Sequence, residues 1–136
     1  MRAPEVFLDS SIFIAFLMRR DHHHTSAAAL FDGPRVRWCT SSLVRAEAYS
    51  WFLHRVGEEA AREFRRLLDS LDGLTVVDTD PENHLHTCKV LDRFRGAKLT
   101  YVDASSLAFM SQRGIRRAWS TDHHLGLSGA EVLPRG

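Results

Sequence analysis

Val6-Phe7-Leu8-Asp9-Ser10-Ser11 sets the pattern on which the chain is built: three apolar residues, a carboxylate, then two hydroxyls that open a helix. A short apolar run without alternation marks a strand buried on both faces, the kind found in parallel sheets. Reading outward, residues 6–8 form a first strand and residues 10–20 a helix, with Asp21 capping a second helix that runs through Phe31. Gly33-Pro34 breaks the chain before a second strand at 36–40. Helices follow over 41–56 and 58–71, separated by Gly57 and ended near Asp72-Gly73. A third strand covers 74–77, and Pro81 suits the first turn of a helix reaching Phe94. Beyond Gly96, a helix over 101–112 is ended by Gly114, residues 117–120 form a fourth strand, and Val132-Leu133 forms a short fifth. Strands alternating with helices predict an α/β fold, with three α/β/α layers around a central, mainly parallel sheet of about five strands.

One domain spanning 1–136 is expected, since 136 residues bury a single core and fall short of two. An apolar share of 44% and an aromatic share of 10% exclude a disordered chain. No apolar run approaches the roughly 20 residues that span a bilayer. The first residues lack a signal peptide's layout, because Asp9 interrupts the apolar stretch and Arg19-Arg20 ends it. A cytoplasmic protein without membrane contact is the expectation. Cys39 and Cys88 stand apart from any metal-finger spacing and read as two reduced thiols. The net charge of +1 conceals an asymmetry: with the four acids considered below neutralised by metal, the remainder carries +5. Sixteen of the eighteen basic residues are Arg, whose planar fork suits phosphate, so a nucleic-acid substrate is permitted without being demanded.

Ligand sites in open parallel sheets form at the carboxyl ends of strands. Asp9 falls there after the first strand and Asp122 after the fourth, while Glu47 and Asp103 lie early in helices. Each aspartate has a structural alternative. Asp9 suits an N-cap, Asp122 could cap a turn, and Thr100-Tyr101-Val102-Asp103 fits a capping box. Glu47 is odder, because on a helical wheel it falls between Leu43 and Trp51, inside the apolar half formed with Val44, Ala48 and Phe52. A carboxylate there is costly unless a cation or donors meet it, and an ion pair with Arg55 is the structural alternative. Four converging carboxylates would call for cations, and all-oxygen ligation favours Mg²⁺ or Mn²⁺. Such a site suits hydrolysis of a phosphodiester. No P-loop, dinucleotide fingerprint or Ser-His-Asp spacing supports a competing chemistry. The histidines His22-His23-His24 and His123-His124 invite a zinc reading, but three in a row point different ways and read as a solvated helix start. The second pair, beside Asp122, has a better claim to touch a phosphate or tune the surroundings of a metal, though plain surface residues are the favoured reading.

These residues together resemble the PIN-domain nucleases, especially the VapC-type toxins of bacterial toxin–antitoxin pairs. The matching pieces are Val6-Phe7-Leu8-Asp9-Ser10-Ser11, Leu43-Val44-Arg45-Ala46-Glu47, Leu99-Thr100-Tyr101-Val102-Asp103-Ala104 and Ser120-Thr121-Asp122-His123-His124, with Asp21, His24 and Ala27 at the second helix. The likeness spans nearly the whole chain. Departures are Leu125, where many relatives have Phe, and Ala48-Tyr49-Ser50-Trp51 after the glutamate. By resemblance, Asp9, Glu47, Asp103 and Asp122 are the catalytic, metal-binding acids, and Ser11 and Ser120 position water or phosphate. The implied activity is Mg²⁺- or Mn²⁺-dependent cleavage of RNA. The implied partners are a cognate antitoxin and a second copy in a homodimer. The alternatives are a housekeeping RNA-processing nuclease without antitoxin, a non-catalytic RNA-binding module, and phosphoryl transfer through an aspartyl nucleophile at Asp9. For this last, Ser11 stands where a second Asp is wanted.

Overall fold

The computed structural model describes residues 2–135. The chain runs β1 (Glu5–Leu8), α1 (Ser10–Leu17), α2 (His24–Asp32), β2 (Arg37–Ser41), α3 (Ser42–Arg55), α4 (Glu58–Ser70), β3 (Thr75–Val77), α5 (Pro81–Arg93), α6 (Tyr101–Arg113) and β4 (Arg117–Trp119), then a 3₁₀ turn (His123–Gly126) and β5 (Glu131–Leu133). Local chemistry explains most boundaries. The Ser41 hydroxyl accepts the Val44 N–H and starts α3, and the Asp80 carboxylate accepts the Asn83 N–H and starts α5, with Pro81 in its first turn. The capping box expected at Thr100 and Asp103 is formed, and α6 stops at Gly114, whose φ of 67° is the left-handed conformation that glycine adopts without cost.

Two expectations fail at the first helical pair. The helix anticipated to residue 20 stops at Leu17, with Met18 extended at φ −97°, ψ 100°. Asp21 does not cap α2. The N-cap is His23, and Asp21 instead closes the preceding turn, its carboxylate accepting the His23 N–H and its carbonyl the His24 N–H. Residue 36 lies outside β2, which opens at Arg37.

All five strands are parallel, in the order β3-β2-β1-β4-β5. The central strand is β1, where Val6, Phe7 and Leu8 are fully buried, as the unalternating run requires. Helices α1, α2, α3 and α4 pack on one another, and α5 packs on α6. Right-handed crossovers put these groups on opposite faces of the sheet, giving the three layers. Between β1 and the α1–α4 layer, Phe13 meets Phe64 edge-on at 5.3 Å, Phe64 stacks on Phe52 at 5.5 Å, and Phe31 meets Trp119 edge-on at 5.3 Å. The order β3-β2-β1 runs off one side of β1, and the chain then returns to lay β4 against the other side. The carboxyl ends of β1 and β4 therefore flank the switch point where such sheets bind ligands. No helix among the described residues is long and apolar enough to cross a membrane.

Candidate metal centre

Register places Leu8 beside Trp119, and the Asp9 N–H donates to the Trp119 carbonyl at 3.1 Å, so Asp9 and Ser120 leave the sheet side by side. Asp9 occupies the N-cap position of α1 without using its side chain as a cap, which removes the structural alternative for this residue. Its Oδ2 instead receives Ser11 Oγ and Ser120 Oγ, each at 2.9 Å. Ser120 Oγ also lies 3.0 Å from the Asp122 carbonyl, but it carries one hydrogen, and the carboxylate is the stronger acceptor. The two hydroxyls relay to backbone: Ser11 Oγ accepts the Thr121 N–H and Ser120 Oγ the Asp122 N–H, both at 3.0 Å. The other oxygen of Asp9, Oδ1, is buried and has no partner. Burial, assisted by the neighbouring charge of Asp103, pushes the Asp9 pKa up from 3.8 to about 6, against the lowering effect of both serines.

The other acids approach through single links. The Glu47 carboxylate accepts the Ser10 hydroxyl at 2.5 Å, which ties α3 to the residue after Asp9. Glu47 is half-buried, as are Leu43 and Trp51, while the fully buried line of α3 is Val44, Ala48 and Phe52. The glutamate therefore sits at the margin of the apolar face, one step off its centre. Arg55 is exposed and no ion pair joins it to Glu47 among the described residues, so the donor that meets Glu47 is Ser10. Asp103 keeps its capping box through Thr100 while its Oδ2 faces His124 Nδ1 at 3.4 Å. Asp122 does cap the 3₁₀ turn, accepting the His124 N–H at 2.9 Å, and its Oδ1 lies 3.1 Å from His124 Nδ1. One ligand atom each from Asp122, His123 and His124 falls within a sphere of mutual distances under 4.8 Å. Capping and clustering are thus not exclusive for Asp103 and Asp122.

Ser11 and Ser120, expected to position water or phosphate, both donate to Asp9 Oδ2 in this structure. Two residues carry more than the sequence suggested. Nothing marks Ser10 beyond its place at a helix start, and His124 was signalled only by its nearness to Asp122. The remaining candidates disperse. His24 Nδ1 lies 3.0 Å from the Ala15 carbonyl, a structural contact. Both cysteines are free, Cys39 buried and Cys88 partly so.

An orphaned buried carboxylate oxygen, with Asp103 near enough for its charge to act on Asp9 and hydroxyls holding only one side of the carboxylate, offers oxygen donors that suit a hard divalent cation. The PIN domain family matches residues 6–126. Among solved structures, the chain is similar to Mycobacterium tuberculosis VapC20, a Sarcin-Ricin loop cleaving toxin, at 25% identity and a TM-score of 0.84, over 92% of this chain and 95% of that one. It shares its fold with VapBC2 from Rickettsia felis bound to a DNA fragment from its promoter (11% identity, TM-score 0.69, 94% and 96% covered). The same holds for a toxin–antitoxin complex from Klebsiella pneumoniae (14% identity, TM-score 0.65, 95% and 96% covered). No curated protein sequence matches significantly. The match over residues 6–126 establishes that the chain belongs to the PIN-domain family, and the structural likeness gives it the fold of VapC-type members.

Proposed function

We propose that the protein is a Mg²⁺- or Mn²⁺-dependent endoribonuclease and the toxin of a toxin–antitoxin pair, its metal held by Asp9, Glu47, Asp103 and Asp122. The observation that carries this reading is the Asp9 carboxylate, 3% exposed with Oδ1 unpartnered. A buried charge is expensive unless donors or a cation meet it, and Oδ1 has no donor, so a cation there would supply what the serines on Oδ2 do not. When bound, the metal supplies positive charge that acidifies water and offsets charge developing on a phosphodiester.

The chain's own residues do the positioning. Ser11 and Ser120 hold Asp9 Oδ2, which fixes the carboxylate and leaves Oδ1 facing away from them. Ser10 fixes the Glu47 carboxylate at the start of α1. Thr100 holds the start of α6, and with it Asp103, through the capping box. Positive charge concentrated in Arg suits a polyanionic substrate once the acids are neutralised. The solved VapBC and toxin–antitoxin complexes support an antitoxin partner, and the cytoplasm as the place of action follows from that role. A homodimer is part of the same reading.

The test compares cleavage of a Sarcin-Ricin loop RNA and of unstructured RNA in Mn²⁺, in EDTA, and with Asp9→Asn. Cleavage is expected in Mn²⁺ alone and only by the wild type. Undiminished cleavage by Asp9→Asn overturns the metal site, and RNA binding without cleavage in Mn²⁺ overturns the nuclease.

A further inference from the structure

His124 Nδ1 is shielded from solvent, yet it makes no hydrogen bond. It lies 3.1 Å from Asp122 Oδ1 and 3.4 Å from Asp103 Oδ2, close enough for either, but neither carboxylate lies along the direction in which a ring N–H would donate. Asp122 Oδ1 already takes the His124 backbone N–H at 2.9 Å. A shielded ring nitrogen without a hydrogen-bond partner is unusual, and this one faces two carboxylates at distances that an ion pair or a cation held between them satisfies. Metal–donor bonds of ~2.1 Å at right angles set neighbouring donor atoms about 3.0 Å apart. The contacts of Nδ1 with Asp122 and Asp103 are close to that spacing. His123 is differently placed, with a side chain 85% exposed and its Nδ1 3.7 Å from Asp122.

We propose that His124 coordinates the metal directly through Nδ1, so that the site is an acid-and-imidazole set and prefers Mn²⁺ to Mg²⁺. The inference rests on the metal-site reading above. Its chemical content lies in the nitrogen. An all-oxygen set serves Mg²⁺ and Mn²⁺ alike, whereas an imidazole is a poor ligand for Mg²⁺ and an acceptable one for transition-series ions. Asp122 Oδ1 and His124 Nδ1 belong to one tight turn whose backbone is fixed by Ser120 and Asp122, so both donors approach from one side with little freedom to separate. The facing side is supplied by Asp103 on α6.

The test is pulsed electron paramagnetic resonance of Mn²⁺ bound to the untagged protein, which reads ¹⁴N coupling from a directly bound imidazole, alongside Mn²⁺ and Mg²⁺ affinities by calorimetry. The variant of choice is His124→Asn, because the asparagine amide oxygen occupies nearly the position of Nδ1 and offers oxygen in its place. Expected are ¹⁴N modulation in the wild type and in His123→Asn, its loss in His124→Asn, and a fall of about tenfold in the Mn²⁺-over-Mg²⁺ preference with Mg²⁺ affinity kept. Bound Mn²⁺ without ¹⁴N modulation in the wild type, or modulation that survives His124→Asn, overturns the proposal and leaves the acid site standing. Mn²⁺ that fails to bind, or binds Asp9→Asn as well as the wild type, overturns both.

Discussion

Replacing Asp9 by asparagine removes the most buried charge of the cluster while keeping its shape. Asp9 is 3% exposed, and burial raises its pKa from 3.8 to about 6 despite two serine hydroxyls that pull it down. The folded protein therefore holds this proton more tightly than the unfolded chain does. For a carboxyl raised in this way, the stabilisation is complete below about pH 4 and is lost as pH climbs through about 6. A rise from 3.8 to about 6, at 1.36 kcal/mol per pH unit, amounts to about 3 kcal/mol. For 136 residues that is roughly 10 °C in Tm. Denaturation followed by circular dichroism in EDTA from pH 4 to pH 8 reads the effect as the difference between wild type and Asp9→Asn, which cancels every other titrating group. At pH 8 the variant should be the more stable, by somewhat under 3 kcal/mol because an amide accepts the serine hydrogen bonds less strongly than a carboxylate. The gap should close by pH 4. Mn²⁺ at pH 8 should also close it, by raising the wild type alone. A gap independent of pH, or a variant less stable than wild type at pH 8, would refute the claim that Asp9 is an uncompensated charge.

Glu47→Gln should abolish RNA cleavage while changing stability in EDTA by no more than about 1 kcal/mol, since the amide oxygen can still accept from Ser10; a larger loss by urea titration counts against a ligand role. Ser120→Ala should lower stability by about 1–3 kcal/mol and raise the Asp9 pKa further, because it deletes that carboxylate's strongest supporting hydrogen bond; carbon NMR of the Asp9 carboxyl measures the second effect directly. Phe64→Ala, at the meeting point of Phe13 and Phe52, should cost about 3–5 kcal/mol by urea denaturation. With a thiol reagent, Cys88 should react promptly in the native protein and Cys39 only after unfolding, because burial pushes the Cys39 thiol up to about 11 and closes it from solvent.

Much of this architecture was legible because its signals are local. Val6-Phe7-Leu8 carries no polar residue and could only be an interior strand; Pro81, Gly114 and the Thr100–Asp103 box each fix an element end by their own chemistry. The end of α1 carries no such mark. Residues 18–20 contain neither Gly nor Pro, and Leu17 ends the helix where the chain turns toward α2, a tertiary decision. Asp21 was misread for a related reason, since an aspartate closing a turn and one capping a helix look alike two residues ahead of the first helical turn. At the site, helical periodicity found Glu47 but placed it too deep, because a wheel cannot tell the centre of a buried stripe from its margin. Ser10 and His124 were the hardest to see, since their importance lies in partners 37 residues and 21 residues away. Only the sheet order brings those partners together.

The strand order carries a consequence for when the protein can act. Asp9 leaves β1 near the start of the chain, yet the hydroxyl that holds it belongs to Ser120, 111 residues later. Because β4 is made after β3 and then inserted beside β1, a chain cut or still being synthesised before Trp119 has neither the wall that closes this crevice nor Asp122. Long-range pairing of this kind forms late in folding. The crevice is thereby completed only when nearly the whole chain has been made, and a truncated chain lacks both Ser120 and Asp122.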